Sequence, residues 1–302
     1  MKKATQHLRL ATRESKLALW QAQFVQKKLK SAGVSSELVL VKSKGDLLQK
    51  KPVQTLNSVG IFTKAIDDAV LDGRADAGVH SLKDLPTTLH KELIIGCVLE
   101  REDSSDVLVY KDKEFFKHTE RAATIATGSA RRKAQWLNKY PHHKIVGVRG
   151  NVDSRLHKLK ENDWDGMILA SAGLKRLGIK TLCKKLNWMT PAPGQGAIVV
   201  VHKMKNKKAD EILSKFNHRE TLFAVLAERT FLRRIDAGCS ASVGASARLS
   251  GKNLSFKAEV LSVDGRRKIV VELIDKLENA MQLGKNAARI ALKQGAKKIL
   301  MS

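Results

Sequence analysis

Cysteine is scarce in this sequence, and the number and spacing of the cysteines exclude two common kinds of site. Cys97, Cys183 and Cys239 are the 3 cysteines among 302 residues. An odd number without paired spacing argues against a disulfide framework and against a zinc site. We therefore expect no bound metal, and each thiol must be considered singly.

Long apolar runs are also missing. No segment approaches the roughly 20 consecutive apolar residues that a membrane-spanning helix needs. The basic residues 1–7 lead into a strand-like segment rather than into the apolar core of a signal peptide. We therefore expect a cytoplasmic protein without a membrane partner. The sequence has no internal repeat, and its length favours two or three domains over one.

Aromatic residues make up only 5% of the chain, whereas 56 Lys and Arg against 30 Asp and Glu give a formal net charge of +26. Such a charge favours anionic partners. A nucleic-acid binder is one hypothesis that rests on this charge. However, base-stacking aromatics are few, and many lysines lie along predicted helices, where a solvated face is the ordinary explanation. We therefore expect no nucleic-acid partner.

Strand-like runs alternate with helical patterns through the first two thirds of the chain, which predicts α/β layers. The clearest strands cover residues 38–41, 75–79, 124–127, 144–148 and 166–170. A helix is predicted over residues 15–31, where apolar side chains recur at helical spacing, and it ends at Gly33.

The pattern changes near the C-terminal third. Residues 189–196 are rich in Pro and Gly and precede a buried strand over 197–201, as expected of a crossing between two lobes. From about residue 244 the strands follow one another without intervening helices. They cover residues 243–249, 254–261 and 267–274, and one helix over 277–294 follows them. These residues therefore predict a small α+β domain.

Three predicted strands are each followed by a small or hydroxyl residue, arginine and a helix start, in residues 12–15, 128–132 and 149–155. Helix N-termini and arginine forks bind carboxylate and phosphate, and ligands of open α/β sheets lie beyond the strands' carboxyl ends. The repetition predicts a polyanion pocket. The alternative is that the polar residues of these loops are ordinary N-caps and the arginines are solvated; the caps would be Ser15, Ser129 and Asn151.

Asp84 also follows a predicted strand, in residues 79–86. Beside Lys83 this carboxylate would ionise readily, and it would stabilise a developing cation or move a proton. The alternative is that Asp84 caps a turn before Pro86. His80 is a weaker catalytic candidate than Asp84.

The cysteines differ in their surroundings. Cys97 lies in an apolar run and is predicted to be a buried strand residue, and Cys183 is predicted to pack in a helix. Cys239 follows Gly238 in a predicted loop, with two arginines nearby in sequence. Such a thiol would be an accessible thiolate able to form a covalent bond.

Seven segments, in this order, resemble the porphobilinogen deaminase family, and the likeness spans nearly the whole chain. They are residues 8–22, 79–86, 128–132, 149–152, 172–178, 193–196 and 237–239.

The resemblance implies an α/β protein with two lobes of mixed sheets, similar to type II periplasmic binding proteins, and a small α+β C-terminal domain. Residues 1–100 with 197–217 would form the first lobe, including a lid loop at about 45–62. Residues 101–196 would form the second lobe, and residues 218–302 the third domain. The active site is expected in the cleft between the lobes, and the protein is expected to be a monomer.

The resemblance also implies the chemistry, that of a transferase in haem and porphyrin biosynthesis. Cys239 would hold a dipyrromethane cofactor by a thioether bond, and Asp84 would be the catalytic residue. Four porphobilinogen molecules would be deaminated and joined head to tail, and then released by hydrolysis as hydroxymethylbilane. Phe62 would belong to the lid. The residues implied to bind cofactor and substrate carboxylates are Arg13, Ser15, Ser81, Lys83, Thr127, Ser129, Arg131, Arg132, Arg149, Arg155, Arg176 and Gln195.

Two departures from the family pattern concern turnover rather than fold. The family has two lid lysines at positions that here hold Thr55 and Val59. After Cys239, Ser240 and Ala241 replace the usual Gln and Pro. The alternative function is therefore a two-lobed carboxylate-binding protein with impaired turnover or none.

Overall fold

The computed structural model describes residues 6–42, 63–236 and 241–300. The chain divides into two compact units, Met1–Arg101 with Ala197–Arg219, and Glu102–Gly196 with Glu220–Ser302. The further division into three domains stays a prediction.

The described residues alternate between strands and helices over most of their length. The strands are β1 (His7–Arg13), β2 (Ser35–Val41), β3 (Ala77–Ser81), β4 (Leu93–Val98), β5 (Asp106–Tyr110), β6 (Thr124–Ala126), β7 (Lys144–Val146), β8 (Gly166–Ala170), β9 (Cys183–Lys185), β10 (Ile198–Lys203), β11 (Val243–Ser250), β12 (Asn253–Leu261) and β13 (Lys268–Lys276). The α-helices are α1 (Lys16–Ser31), α2 (Lys64–Leu71), α3 (Ala130–Lys139), α4 (Val152–Glu161), α5 (Ser171–Arg176), α6 (Lys207–Leu213), α7 (Arg219–Arg234), α8 (Ala280–Lys293) and α9 (Ala296–Leu300).

The first unit is built on a five-stranded mixed sheet in the order β2-β1-β3-β10-β4. β1 pairs in parallel with β2 and β3, and β10 runs antiparallel to β3 and β4. Helix α1 packs Ala22, Val25 and Leu29 into the core, as its spacing predicts. The sheet therefore brings the carboxyl ends of β1 and β3 to one edge, where polar loops follow.

Cys97 is buried on β4, as predicted. Burial raises the pKa of its thiol to about 12, because a thiolate in apolar surroundings loses its hydration. This cysteine is therefore a core residue rather than a nucleophile.

The second unit contains another five-stranded mixed sheet, in the order β7-β6-β8-β5-β9. β6 lies parallel to β7 and β8, whereas β5 runs antiparallel to β8 and β9. The prediction that Cys183 packs in a helix is wrong, because Cys183 is exposed on β9. This edge strand pairs with β5 and is three residues long, two of them lysines. None of its side chains is buried.

The same unit contains a separate antiparallel sheet, β11-β12-β13, with α7, α8 and α9 against it. Phe231 of α7 and Phe256 of β12 meet in its core, with ring centroids 5.6 Å apart. The predicted strands and final helix of this region are confirmed, and so is the fold class of two mixed α/β sheets with a small α+β part. Among the described residues, no helix is long and apolar enough to cross a membrane.

Candidate active site

A cavity of about 80 Å³ lies in the first unit, where β1 and β3 end. Its wall contains four residues that the sequence predicts for the site: Arg13, Ser15, Ser81 and Asp84. Lys83, on the same turn as Asp84, is not among the residues that line this cavity.

Asp84 is presented by a short 3-10 helix, Leu82–Asp84, that directly follows β3. Leu82 and Leu85 are both 1% exposed, and the Leu82 amide donates to the Ala197 carbonyl over 3.0 Å. Apolar burial on both sides therefore anchors the turn and leaves Asp84 at the surface of the cavity. The Asp84 carboxylate accepts no hydrogen bond from the described residues, so this part of the structure gives no support to a turn cap.

Further polar residues line the cavity that the sequence did not predict for binding. Gln21 of α1 is 4% exposed, and its amide nitrogen donates to the Ser81 hydroxyl over 2.8 Å. His80 and Thr63 are also buried in the wall. A polar side chain on the buried face of α1, next to Ala22, is the signal that would have identified Gln21.

A second group of predicted residues lies in the second unit, around the carboxylate of Asp106. Arg131 Nη1 lies 2.6 Å from Asp106 Oδ2, and Arg132 Nε donates to Asp106 Oδ1 over 2.9 Å. Gln195 Nε2 donates to the same Oδ1 over 3.0 Å. These residues are at most 6% exposed, so the two arginines are not solvated.

The charges within this cluster are strongly coupled. Burial alone would raise the pKa of Asp106, but the adjacent guanidinium groups of Arg131 and Arg132 outweigh burial and hold that pKa below its usual range. Arg131 makes both of its contacts, to Asp106 and to the Thr190 carbonyl, through Nη1. Among the described residues nothing hydrogen-bonds its Nε or Nη2, so these donors remain for a ligand.

Arg176 is the last residue of α5. Its Nη2 donates to the Gly196 carbonyl over 2.6 Å, and burial lowers its pKa to about 10. The side chain is therefore still charged at neutral pH. Gly196 belongs to the Pro-Gly segment over residues 193–196. In this segment the Gly194 amide donates to the buried carboxylate of Glu228 over 2.7 Å, which fixes the turn that carries Gln195.

The polar residues at the helix starts are N-caps, as the structural alternative predicted. Ser15 accepts from the Ala18 amide, Ser129 from the Arg132 amide and Asn151 from the Ser154 amide. Thr127 Oγ1 accepts from the Ser129 amide over 3.3 Å.

Two further arginines lie at the start of α4, Arg149 in the preceding loop and Arg155 on the helix itself. The Arg155 Nε donates to the Gly150 carbonyl over 2.8 Å, and the Arg149 carbonyl accepts from Lys158 Nζ over 3.2 Å. The capping interactions and these loop contacts together fix the backbone on which the predicted anion-binding arginines stand.

Comparison with known proteins gives the same family for successive parts of the chain. A model described as "Porphobilinogen deaminase, dipyromethane cofactor binding domain" matches residues 8–211, and one described as "Porphobilinogen deaminase, C-terminal domain" matches residues 222–293. The chain belongs to the porphobilinogen deaminase family. It is accordingly a transferase of porphyrin biosynthesis with a dipyrromethane cofactor.

Curated relatives match over nearly their whole length. The porphobilinogen deaminase of Syntrophotalea carbinolica is 38% identical over 298 residues, covering 97% of this chain and 95% of the relative. That of Chlorobium phaeobacteroides is 39% identical over 300 residues, covering 96% of each. Among solved structures, the methionine binding protein MetQ is 12% identical with a TM-score of 0.43, covering 70% of this chain and 90% of that chain.

Among the residues predicted for a porphobilinogen deaminase, Cys239 matters most, because it is predicted to hold the cofactor. Cys239 and Phe62 lie outside the described residues, as do Thr55 and Val59. The described chain flanks the cysteine on both sides, at the end of α7 and the start of β11.

Asp106 is the main residue of the Arg131–Arg132–Gln195 cluster that sequence reasoning missed. The available signal was an acidic residue at the start of the apolar run Val107–Leu108–Val109, where a buried charge requires a partner.

Proposed function

We propose that this protein deaminates four porphobilinogen molecules and joins them head to tail on a dipyrromethane held by a thioether bond to Cys239. Hydrolysis then releases hydroxymethylbilane, and ammonia is the by-product. The observation that carries the proposal is the cavity that Asp84 lines together with Arg13, Ser15 and Ser81.

Asp84 is the residue that would assist the chemical step. Loss of ammonia from porphobilinogen leaves a cationic azafulvene, and a carboxylate that accepts no hydrogen bond from the described residues is able to stabilise that cation. A charge-stabilising group already in place needs no reorganisation during the reaction. The same carboxylate is suited to move the proton that the attacking pyrrole carbon loses.

The basic residues would bind the acetate and propionate groups that every pyrrole unit carries. Arg13 and the Ser15 hydroxyl line the cavity beside Asp84. The free Nε and Nη2 of Arg131 form a fork of the kind that binds a carboxylate with two hydrogen bonds. Each of these groups of donors fits the carboxylates of an anionic pyrrole cofactor. Dipyrromethane, when bound, supplies the free pyrrole end to which the first substrate unit is joined.

The test is the intact mass of the purified protein after incubation with porphobilinogen. We expect added mass of at least two pyrrole units, localised by peptide mapping to Cys239. C239S should lose the adduct. C183S removes the exposed thiol on β9 and is the matched control, so it should retain the adduct.

Asp84→Asn separates attachment from turnover. This variant should still carry the adduct but form hydroxymethylbilane at least about a hundredfold more slowly, the usual scale for a lost charge-stabilising or proton-transferring group. A protein that binds pyrrole carboxylates without gaining mass would instead be the carboxylate-binding alternative. An unmodified mass would therefore refute the proposed catalysis.

A further inference from the structure

His80, which lines the Asp84 cavity, contacts Asp67 behind the cavity wall. His80 Nε2 lies 3.1 Å from Asp67 Oδ1, with side-chain exposures of 2% and 17%. His80 belongs to β3 and Asp67 to α2, so the contact joins a strand to the helix packed on it. The proposed chemistry assigns no role to either residue.

The fold leaves room for this contact at Gly78. A Cβ at Gly78 would lie 2.5 Å from the Ile66 methyl of α2 and 3.1 Å from His80 Nε2. A larger residue at this position would therefore force the Ile66 side chain, next to Asp67 on α2, to shift. His80 Nε2 and Asp67 Oδ1 are both buried, and neither has a well-directed hydrogen bond among the described residues. Two buried polar atoms are costly unless they stabilise each other.

The neighbouring residue, Ser81, is held by the other helix. Gln21 of α1 donates to the Ser81 hydroxyl over 2.8 Å, and that hydroxyl lies 3.2 Å from Gln21 Oε1. Successive side chains of a strand point to opposite faces. The end of β3 therefore contacts α2 through His80 and α1 through Ser81. Both contacts lie immediately before the turn that presents Asp84.

We propose that Asp67 and His80 are positioning residues for Asp84, because their contact fixes the end of β3 against α2 and so sets the orientation of the Asp84 turn. This inference rests on the proposed function, in which the Asp84 carboxylate stabilises the reacting pyrrole. Neither residue needs to touch the substrate. A small misplacement of a reacting group is enough to slow catalysis strongly.

The kinetic test compares Asp67→Asn with Asp67→Glu and Asp68→Asn. Asp68 is the next residue on α2, and it pairs with Lys64 at the surface over 3.3 Å, so its variant is a matched control. D67N should lower kcat about tenfold or more, since a misplacement of about 1 Å costs up to about a hundredfold, with KM within about threefold of wild type. D67E should recover most of the loss, and D68N should show none.

A spectroscopic test does not depend on turnover. In protein labelled with ¹³Cγ-aspartate, the Asp84 signal is assigned by its absence from D84N. That signal should move in D67N and in His80→Gln but stay in place in D68N.

An unmoved Asp84 signal in D67N, or a lowered melting temperature with unchanged kcat, would overturn the positioning role. Retained turnover in D84N would instead refute the proposed function of Asp84, so the two failures can be told apart.

Discussion

Arg131 Nη1 and Asp106 Oδ2 lie 2.6 Å apart, and the side chains of the two residues are 4% and 0% exposed. Arg132 contacts the other oxygen of the same carboxylate. One carboxylate at the start of β5 therefore organises the first turn of α3, where two of the predicted anion-binding arginines lie. The two buried arginines therefore depend on the Asp106 carboxylate for their counter-charge.

Asp106→Asn should destabilise the fold strongly. The variant keeps the shape of the side chain but leaves two buried guanidinium groups without their counter-charge. Breaking a buried ion pair by removing one partner costs about 3–5 kcal/mol. Chemical denaturation at neutral pH measures the loss. Glu114→Gln removes an exposed carboxylate that pairs with Lys117 and should leave the unfolding midpoint unchanged; equal effects of the two variants would contradict this role of Asp106.

Arg131→Lys and Arg132→Lys should separate binding from stability. Among the described residues Arg131 hydrogen-bonds only through Nη1, so a lysine ammonium can keep the Asp106 contact while the fork of Nε and Nη2 is lost. Arg132 uses Nε, Nη1 and Nη2 for Asp106 and the Ile168 carbonyl. A lysine at position 132 would lose some of these hydrogen bonds. Each hydrogen bond that involves a charged group contributes about 1.5–3 kcal/mol to stability.

The measurements for this pair are the unfolding free energy and the fraction of protein that carries the covalent adduct. R131K should lower adduct loading with little change in stability. R132K should lower stability first. A pair of variants that behave alike in both measurements would show that Arg131 has no separate binding role.

The sequence was sufficient to place the cavity residues that follow strands. Arg13, Ser15 and Asp84 were predicted because they follow strands, at whose carboxyl ends the ligands of open α/β sheets bind. Ser81 was implied by the family resemblance, and the cavity contains all four. The two-lobed fold class was implied by the family resemblance, whereas the α/β layers, the first helix and the C-terminal strands followed from periodicity. These features depend on local pattern, which a single sequence contains.

The missed features depend on which distant residues meet. Asp106 and Arg131 are 25 positions apart, and no local pattern shows that they pair. The same holds for Asp67 and His80, which lie on different elements. Cys183 was misjudged because a three-residue edge strand has too little sequence to show a period. The roles of Cys239 and Phe62 stay predictions, since both lie outside the described residues.

His143 should make stability depend on pH. It is buried and accepts a hydrogen bond from Trp136 Nε1 at Nδ1 over 3.1 Å, while Nε2 contacts the Thr119 carbonyl over 3.0 Å. The ring is therefore neutral with its proton on Nε2. Burial lowers the pKa of His143, and the nearby His142 lowers it further, although the Thr119 contact opposes them.

The sign follows from proton uptake. A histidine with a lowered pKa binds protons more readily in the unfolded state, so stability rises with pH across the interval between the two values. Its contribution is complete above about pH 6.5, the unfolded value, and is lost as pH falls below it. Urea unfolding at pH 5 and pH 7.5 should show a smaller pH effect in His143→Gln than in wild type. His157 is exposed, and H157Q should keep the wild-type dependence.

Gly128→Ala should disturb the loop that carries Ser129 and leads into Arg131 on α3. A Cβ at Gly128 would lie 2.5 Å from the Val148 carbonyl oxygen, and a backbone atom cannot move aside as a flexible side chain can. Overpacking of this kind costs about 1–3 kcal/mol. Gly147→Ala is the matched control, because nothing lies within 4 Å of its added Cβ. Thermal unfolding should show a loss for G128A and little change for G147A, and adduct loading should fall only in G128A. If G128A matched G147A in both measurements, the close approach of these two loops would not constrain the arginines.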